Sequence, residues 1–122
     1  GFCFGGTVAL ELARDGAPLA GVVSFHGGLD TPATLTSNIK AKILALHGAE
    51  DPLVPQEQLV AFVDEMRKGT VNWEVVAYGG AVHAFTNPDA GTDVSKGVAY
   101  NELVAKRAYA AMESFFREVF KE

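Results

Sequence analysis

The chain is poor in cysteine, in tryptophan and in basic residues, and each shortage excludes something. One cysteine, Cys3, leaves no partner for a disulfide framework within the chain and no basis for a cysteine-based zinc site. Lys and Arg number only 10 against 15 Asp and Glu, a net charge of −5, and they form no stripe, which argues against a nucleic-acid reader. No apolar run approaches the roughly 20 residues of a membrane-spanning helix, so a membrane protein is not expected. There is no internal repeat and no low-complexity segment. Apolar residues make up 48% and charged residues 20%, an ordinary globular composition, and 122 residues suffice for one domain but not two. The lack of cysteine pairs and of a visible signal peptide fits a cytoplasmic location.

Helical and strand patterns alternate along the chain. Residues 4–15 place Val8, Ala9, Leu12 and Ala13 at helical spacing and stop at Gly16. Residues 19–25 form a short continuous apolar run, as in a parallel strand buried on both faces. A polar, turn-rich loop over 26–40 leads to a second buried strand at 42–46, closed by His47-Gly48. Pro55 then suits the first turn of a helix whose apolar face is Leu59, Phe62, Val63 and Met66, ending before Gly69. Residues 71–78 supply a third strand, 79–99 a long loop, and Asn101 a cap for a last helix. The buried stripe of that helix is Val104, Ala108, Ala111, Met112, Phe115 and Val119. The alternation implies an α/β fold, a parallel sheet with flanking helices. The chain opens on a helix's leading turn with no strand ahead of it, which reads as a fragment.

Three places could carry chemistry. Gly1-Phe2-Cys3-Phe4-Gly5-Gly6 leads directly into a helix, as a nucleophile elbow does: glycines surround the nucleophile because its backbone turns too sharply for neighbouring side chains. The helix N-terminus would favour a Cys3 thiolate, and the Phe4 N–H would face a developing oxyanion. A buried free cysteine in a glycine-rich turn explains the six residues equally well. Asp51, in Gly48-Ala49-Glu50-Asp51-Pro52, follows the second strand, where α/β proteins place functional residues; an acidic turn residue is the plainer reading, and Glu50 and Asp30 compete for the role. His83, in the glycine-rich turn after the third strand, is a plausible general base. His26 and His47 also sit at strand ends, where support of the loops through backbone hydrogen bonds is the simpler role for them. Nucleophile, acid and histidine follow one another in the order of α/β-hydrolases, all at one end of one sheet.

At GFCFGG (1–6), VVSFHGGL (22–29), LALHGAEDPLVP (44–55) and GGAVHAFTNPDA (79–90) the sequence resembles the C-terminal half of the dienelactone hydrolase family. Family members are about twice as long. The resemblance implies strands 6–8 and helices of an α/β-hydrolase fold, with residues 1–122 forming the C-terminal half of a single domain. It implies Cys3 as nucleophile, Asp51 as acid and His83 as base. It also implies cleavage of carboxylic esters or lactones through an acyl-cysteine, without metal or cofactor. The prototype's carboxylate-binding arginine, shortly after the histidine, is replaced here by Thr86 and Asn87, which removes bidentate carboxylate recognition. A second oxyanion donor would come from a loop outside this chain.

A half domain carries its own expectations. The elbow backbone at Gly1–Phe2 should lack an anchor, and the first strand should present an open edge. The isolated chain should then be inactive, mobile at residues 1–4, or paired with a second copy or with the missing half. The alternative function is a non-catalytic α/β module binding a ligand or partner at the same strand ends. A catalytic site requires Cys3, Asp51 and His83 to converge; a binding module does not.

Overall fold

The computed structural model describes residues 1–31 and 38–121. Three parallel strands, β1 (Gly21–Phe25), β2 (Lys42–Gly48) and β3 (Trp73–Tyr78), lie in the order β1-β2-β3. Three helices flank them: α1 (Phe4–Arg14), α2 (Gln56–Lys68) and α3 (Glu102–Phe120). The elements match the sequence expectation in kind and order, with β1 and β3 each starting two residues later than expected and β2 running two residues further, through His47 and Gly48. Pro55 caps α2 rather than occupying its first turn, its fixed φ of −61° setting the entry. The part of the expected 26–40 loop that spans 32–37 lies outside the described residues. Among the described residues, no helix is long and apolar enough to cross a membrane.

The continuous apolar runs of β1 and β2 exist because both sheet faces are covered. Val22, Ile43 and Ala45 pack with Leu10, Ala13, Phe62 and Met66 on one face. Their neighbours Val23, Phe25, Leu44 and Leu46 pack with Phe85, Val104, Ala108 and Phe115 on the other. Successive strand residues point to opposite faces, so α1 and α2 share one layer and α3 takes the other. Asn101 caps α3 as expected, its Oδ1 accepting from the Val104 N–H at 3.1 Å.

The face of α1 differs from the expected one. Val8 and Leu12 are about half exposed, and the helix buries Gly6, Leu10, Ala13 and Arg14 instead. Arg14 turns the helix. The residue is 1% exposed, and its guanidinium meets Glu65 of α2 through two bonds of 2.8 Å, Glu11 at 2.7 Å and the Leu29 carbonyl at 2.9 Å. A charge removed from water needs this full set of partners, and the set exists only on the α2 side.

The elbow also departs from expectation, because its backbone is anchored. The Gly1 amino group donates to Val23 O, Phe25 N–H to Gly1 O, and Cys3 N–H to Phe25 O, at 2.8–2.9 Å. Residues 1–3 thus run beside the carboxyl end of β1 as a neighbouring strand would, and Phe2 stacks on Phe25 with ring centroids 4.5 Å apart. Below this contact, Phe2, Leu12, Leu19, Val23 and Met112 line an open apolar cleft of about 340 Å³.

Candidate functional site

The carboxyl ends of the strands are in register, with Phe25 beside Leu46 and Gly48 beside Tyr78, so the segments that follow them converge. Residues 1–3 add a fourth segment, and Cys3 turns from it into α1 at φ 52°. That backbone is sparsely populated for a side-chain-bearing residue and is what an elbow demands. Gly6 is what lets the helix settle there: a Cβ on it would collide with the buried Ser24 Oγ of β1. Among the described residues five non-glycines have positive φ, and three of them, Cys3, His26 and Ala84, sit in or beside this site. Strain of this kind persists only where surrounding structure holds it.

Asp51 follows β2 in a turn in which its own Oδ1 accepts the Leu53 N–H at 2.8 Å, and its side chain is fully buried. His83, in the loop after β3, places Nδ1 2.9 Å from Asp51 Oδ2. The loop is pinned to bring it there: His83 N–H donates to Gly97 O and Ala99 N–H to His83 O, both at 3.1 Å. Gly97, at φ 77°, lies so close to Pro52 that a Cβ would come within 2.6 Å of Cγ, so glycine lets residues 97–99 hold His83 against the Asp51 turn. Glu50, the neighbouring competitor, points elsewhere and accepts the Gly80 N–H at 3.3 Å. Asp30 is exposed.

The sulfur rests on an unexpected partner. Cys3 Sγ lies 3.2 Å from His26 Nδ1, and His26 Nε2 lies 2.8 Å from Thr86 Oγ1. His26 was expected to support the loops through backbone hydrogen bonds. Its backbone N–H does bond Leu46 O, but its ring faces Cys3 and Thr86. The sulfur and one ring nitrogen each of His26 and His83 lie within 4.8 Å of one another, so two imidazoles flank one thiol. The signal in the sequence was position: His26 follows the strand beside the elbow. Thr86, read as a substitute for a substrate-binding arginine, is 7% exposed and serves His26. His47 stays apart, with its buried Nδ1 lacking a hydrogen-bond partner among the described residues.

The electrostatics correct a second expectation. The helix N-terminus was expected to favour a Cys3 thiolate, but burial, together with the negative charge of Asp51, raises the thiol above its ordinary value. Burial, reinforced by His83, lowers His26 to about 4, so the ring is neutral near pH 7. The resting sulfur is therefore a thiol beside a neutral imidazole, and a base must act when it attacks. Phe4 is the first residue of α1, where an N–H has no acceptor within its own helix.

Comparison with known proteins bears on the family and the fold. The model of the dienelactone hydrolase family matches residues 1–120. A Saccharolobus solfataricus protein provisionally named carboxymethylenebutenolidase is 35% identical over 99% of this chain and 44% of its own length. The crystal structure of a dienelactone hydrolase-like promiscuous phosphotriesterase from metagenomic libraries superimposes with a TM-score of 0.90 at 47% identity, over 98% of this chain and 50% of that one. A dienelactone hydrolase-type structure from Klebsiella pneumoniae gives 0.81 at 26% identity, over 95% and 49%. The chain spans about half the length of these relatives.

Proposed function

The chain belongs to the dienelactone hydrolase family, and on that premise we propose that it carries the nucleophile, base and acid of a hydrolase of carboxylic esters or lactones. The observation that carries the reading is the Asp51–His83 contact of 2.9 Å, with a His83 ring nitrogen within 4.8 Å of a sulfur held in an elbow. Asp51 fixes the proton on His83 Nδ1 and leaves Nε2 as the base. Nε2 takes the Cys3 thiol proton as the sulfur attacks the ester carbonyl carbon. The Phe4 N–H supports the oxyanion. Collapse breaks the ester C–O bond, and the leaving oxygen receives the proton from His83. Water, deprotonated by the same nitrogen, then cleaves the thioester, releasing the acid and restoring the thiol. The raised thiol of Cys3 supports base-assisted attack over a standing thiolate.

Thr86 is turned inward onto His26, so the substrate has no cationic fork at that position, and esters without a free carboxylate are the better candidates. In a protein as long as the relatives above, the open apolar cleft beside β1 would be the surface for further chain to cover, and a second oxyanion donor would come from there. Rapid mixing with an activated aryl ester tests both parts. The complete protein should release a burst of about one product per active site that disappears in Cys3→Ala. A complete protein whose burst survives Cys3→Ala would sink the assignment. A burst from the 122-residue chain alone would show that the other half is dispensable for acylation.

A further inference from the structure

Hydrolysis needs one imidazole at the sulfur, and this site has two. The nitrogen of His26 that faces Cys3 is not explained by the triad. Both rings are tied at the rear: His83 Nδ1 to the Asp51 carboxylate at 2.9 Å, His26 Nε2 to the Thr86 hydroxyl at 2.8 Å. Histidines that bind metal are held in this manner, one nitrogen on an outer partner that fixes tautomer and ring orientation, the other aimed at the ion. The front atoms are one sulfur and two imidazole nitrogens, mutually within 4.8 Å. Around a tetrahedral zinc ion with ordinary bond lengths, such ligand atoms stand about 3.3–3.6 Å apart. The Sγ–Nδ1 distance of 3.2 Å is close to that value already. The third ligand atom, within 4.8 Å of both, would have to approach by about 1 Å to complete the set.

We propose that Cys3, His26 and His83 form a site for a thiophilic divalent cation, Zn²⁺ being the best match, and that its occupancy switches the nucleophile off. Sulfur with imidazole selects zinc over magnesium or calcium, which prefer oxygen. The buried Asp51 carboxylate behind His83 adds negative charge to the site. The scarcity of cysteine argued against a zinc site built from thiols. The fold supplies the other ligands from two distant strand ends. Binding is a ligand exchange: Zn²⁺ forms a bond to Cys3 sulfur, the thiol proton passes to solvent, and both imidazoles donate lone pairs. The ion then holds the lone pair that would attack a carbonyl and occupies the base as well. Such binding does not depend on the hydrolase reading, since it is read without substrate.

The test uses Co²⁺ and Zn²⁺ on the chain. Co²⁺ should produce a near-ultraviolet sulfur-to-cobalt charge-transfer band with tetrahedral d–d bands, and Zn²⁺ should abolish both. Thr86→Val should weaken Zn²⁺ binding about 10- to 100-fold, the range typical of outer partners of metal-bound histidines, and His26→Gln should weaken it further. In the unmodified protein, Zn²⁺ should shield Cys3 from iodoacetamide while Mg²⁺ does not. This arm needs no variant to fold. Absence of the charge-transfer band with excess Co²⁺, or a folded His26→Gln that binds Zn²⁺ as tightly as the parent, overturns the proposal. Where a complete protein hydrolyses esters, Zn²⁺ should inhibit it reversibly. Inhibition that persists undiminished in His26→Gln would place the ion elsewhere.

Discussion

Replacing Asp51 by Asn isolates what the acid does, because the geometry forces one outcome. Oδ1 accepts the Leu53 N–H at 2.8 Å and Oδ2 faces His83 Nδ1 at 2.9 Å. An asparagine must put its carbonyl where the Leu53 N–H points, since the reverse orientation sets two donors face to face in a buried place. Its amide nitrogen then faces His83 Nδ1 and donates to it. His83 must therefore carry its proton on Nε2, the nitrogen required as base. The shape is unchanged and one hydrogen bond is exchanged for another, so folding stability should fall by only about 1 kcal/mol. Turnover should fall about 10⁴-fold, equivalent to roughly 5.5 kcal/mol of barrier, as wrong-tautomer triads do. Two readouts separate the causes. Ring-nitrogen NMR of the chain should show His83 as the Nδ1–H tautomer in the parent and the Nε2–H tautomer in Asp51→Asn. Aryl-ester turnover by the complete protein should show the loss. A switched tautomer with unchanged turnover would refute His83 as base. An unchanged tautomer with unchanged turnover would move the orienting role to Glu50 or Asp30.

Other consequences follow from groups the fold has buried. Glu65→Leu leaves the Arg14 guanidinium buried, among the described residues, with Glu11, the Leu29 carbonyl and the Phe62 ring, and should destabilise the chain by about 3 kcal/mol in urea unfolding. Adding Arg14→Met should recover much of that, and a double variant no more stable than the single one would contradict the account. His26, lowered to about 4 in the fold, takes up a proton more readily when unfolded, where its value is near 6.5. The difference is without effect on stability above pH 6.5, and the fold loses up to roughly 3 kcal/mol through it as pH falls to 4. Urea midpoints across that window should drop with acid less steeply in His26→Gln than in the parent. Because the Cys3 thiol is raised, iodoacetamide should modify it more slowly at pH 7 than a free cysteine, with the rate climbing at more alkaline pH than ordinary. A reaction faster than free cysteine at pH 7 would restore the standing thiolate that the helix N-terminus alone suggested.

What could be read in the sequence was local, and what could not be read was paired across distance. β1 and β2 announce themselves as continuous apolar runs, because a strand covered on both faces has no polar side to show. The elbow and the Asp51 turn lie within half a dozen residues of the glycines or proline that shape them, and the His83 turn beside Gly79 and Gly80, although Gly97, which pins it, is 14 residues on. The face of α1 was not readable in this way. Val8–Leu12 and Leu10–Ala13–Arg14 are both helically spaced stripes, and by apolar content the first is the better one. The choice falls to the second because Arg14 has a bidentate partner 51 residues later, in another helix. No window over α1 contains Glu65.

The same reasoning explains why the ring contacts of His26 were not legible, although its backbone bond to Leu46 O fits the expected supporting role. Its two contacts bridge 23 and 60 residues, so neither could be inferred from its surroundings in the chain. That His83 meets Asp51 could be anticipated, because the expected order of nucleophile, acid and histidine is itself a pattern. Nothing in that pattern asks for a second imidazole. A histidine at left-handed φ, buried with a lowered proton affinity and tied at the rear by an inward-turned threonine, demands several independent accommodations from the fold. Each costs stability, of order 1–3 kcal/mol for the backbone alone. An apolar side chain of similar size beside Phe85 would avoid the buried polar ring and its threonine partner, though not the strained backbone. The buried imidazole is therefore the part of this arrangement that calls for a use, and among the described residues its Nδ1 is hydrogen-bonded to the Cys3 sulfur.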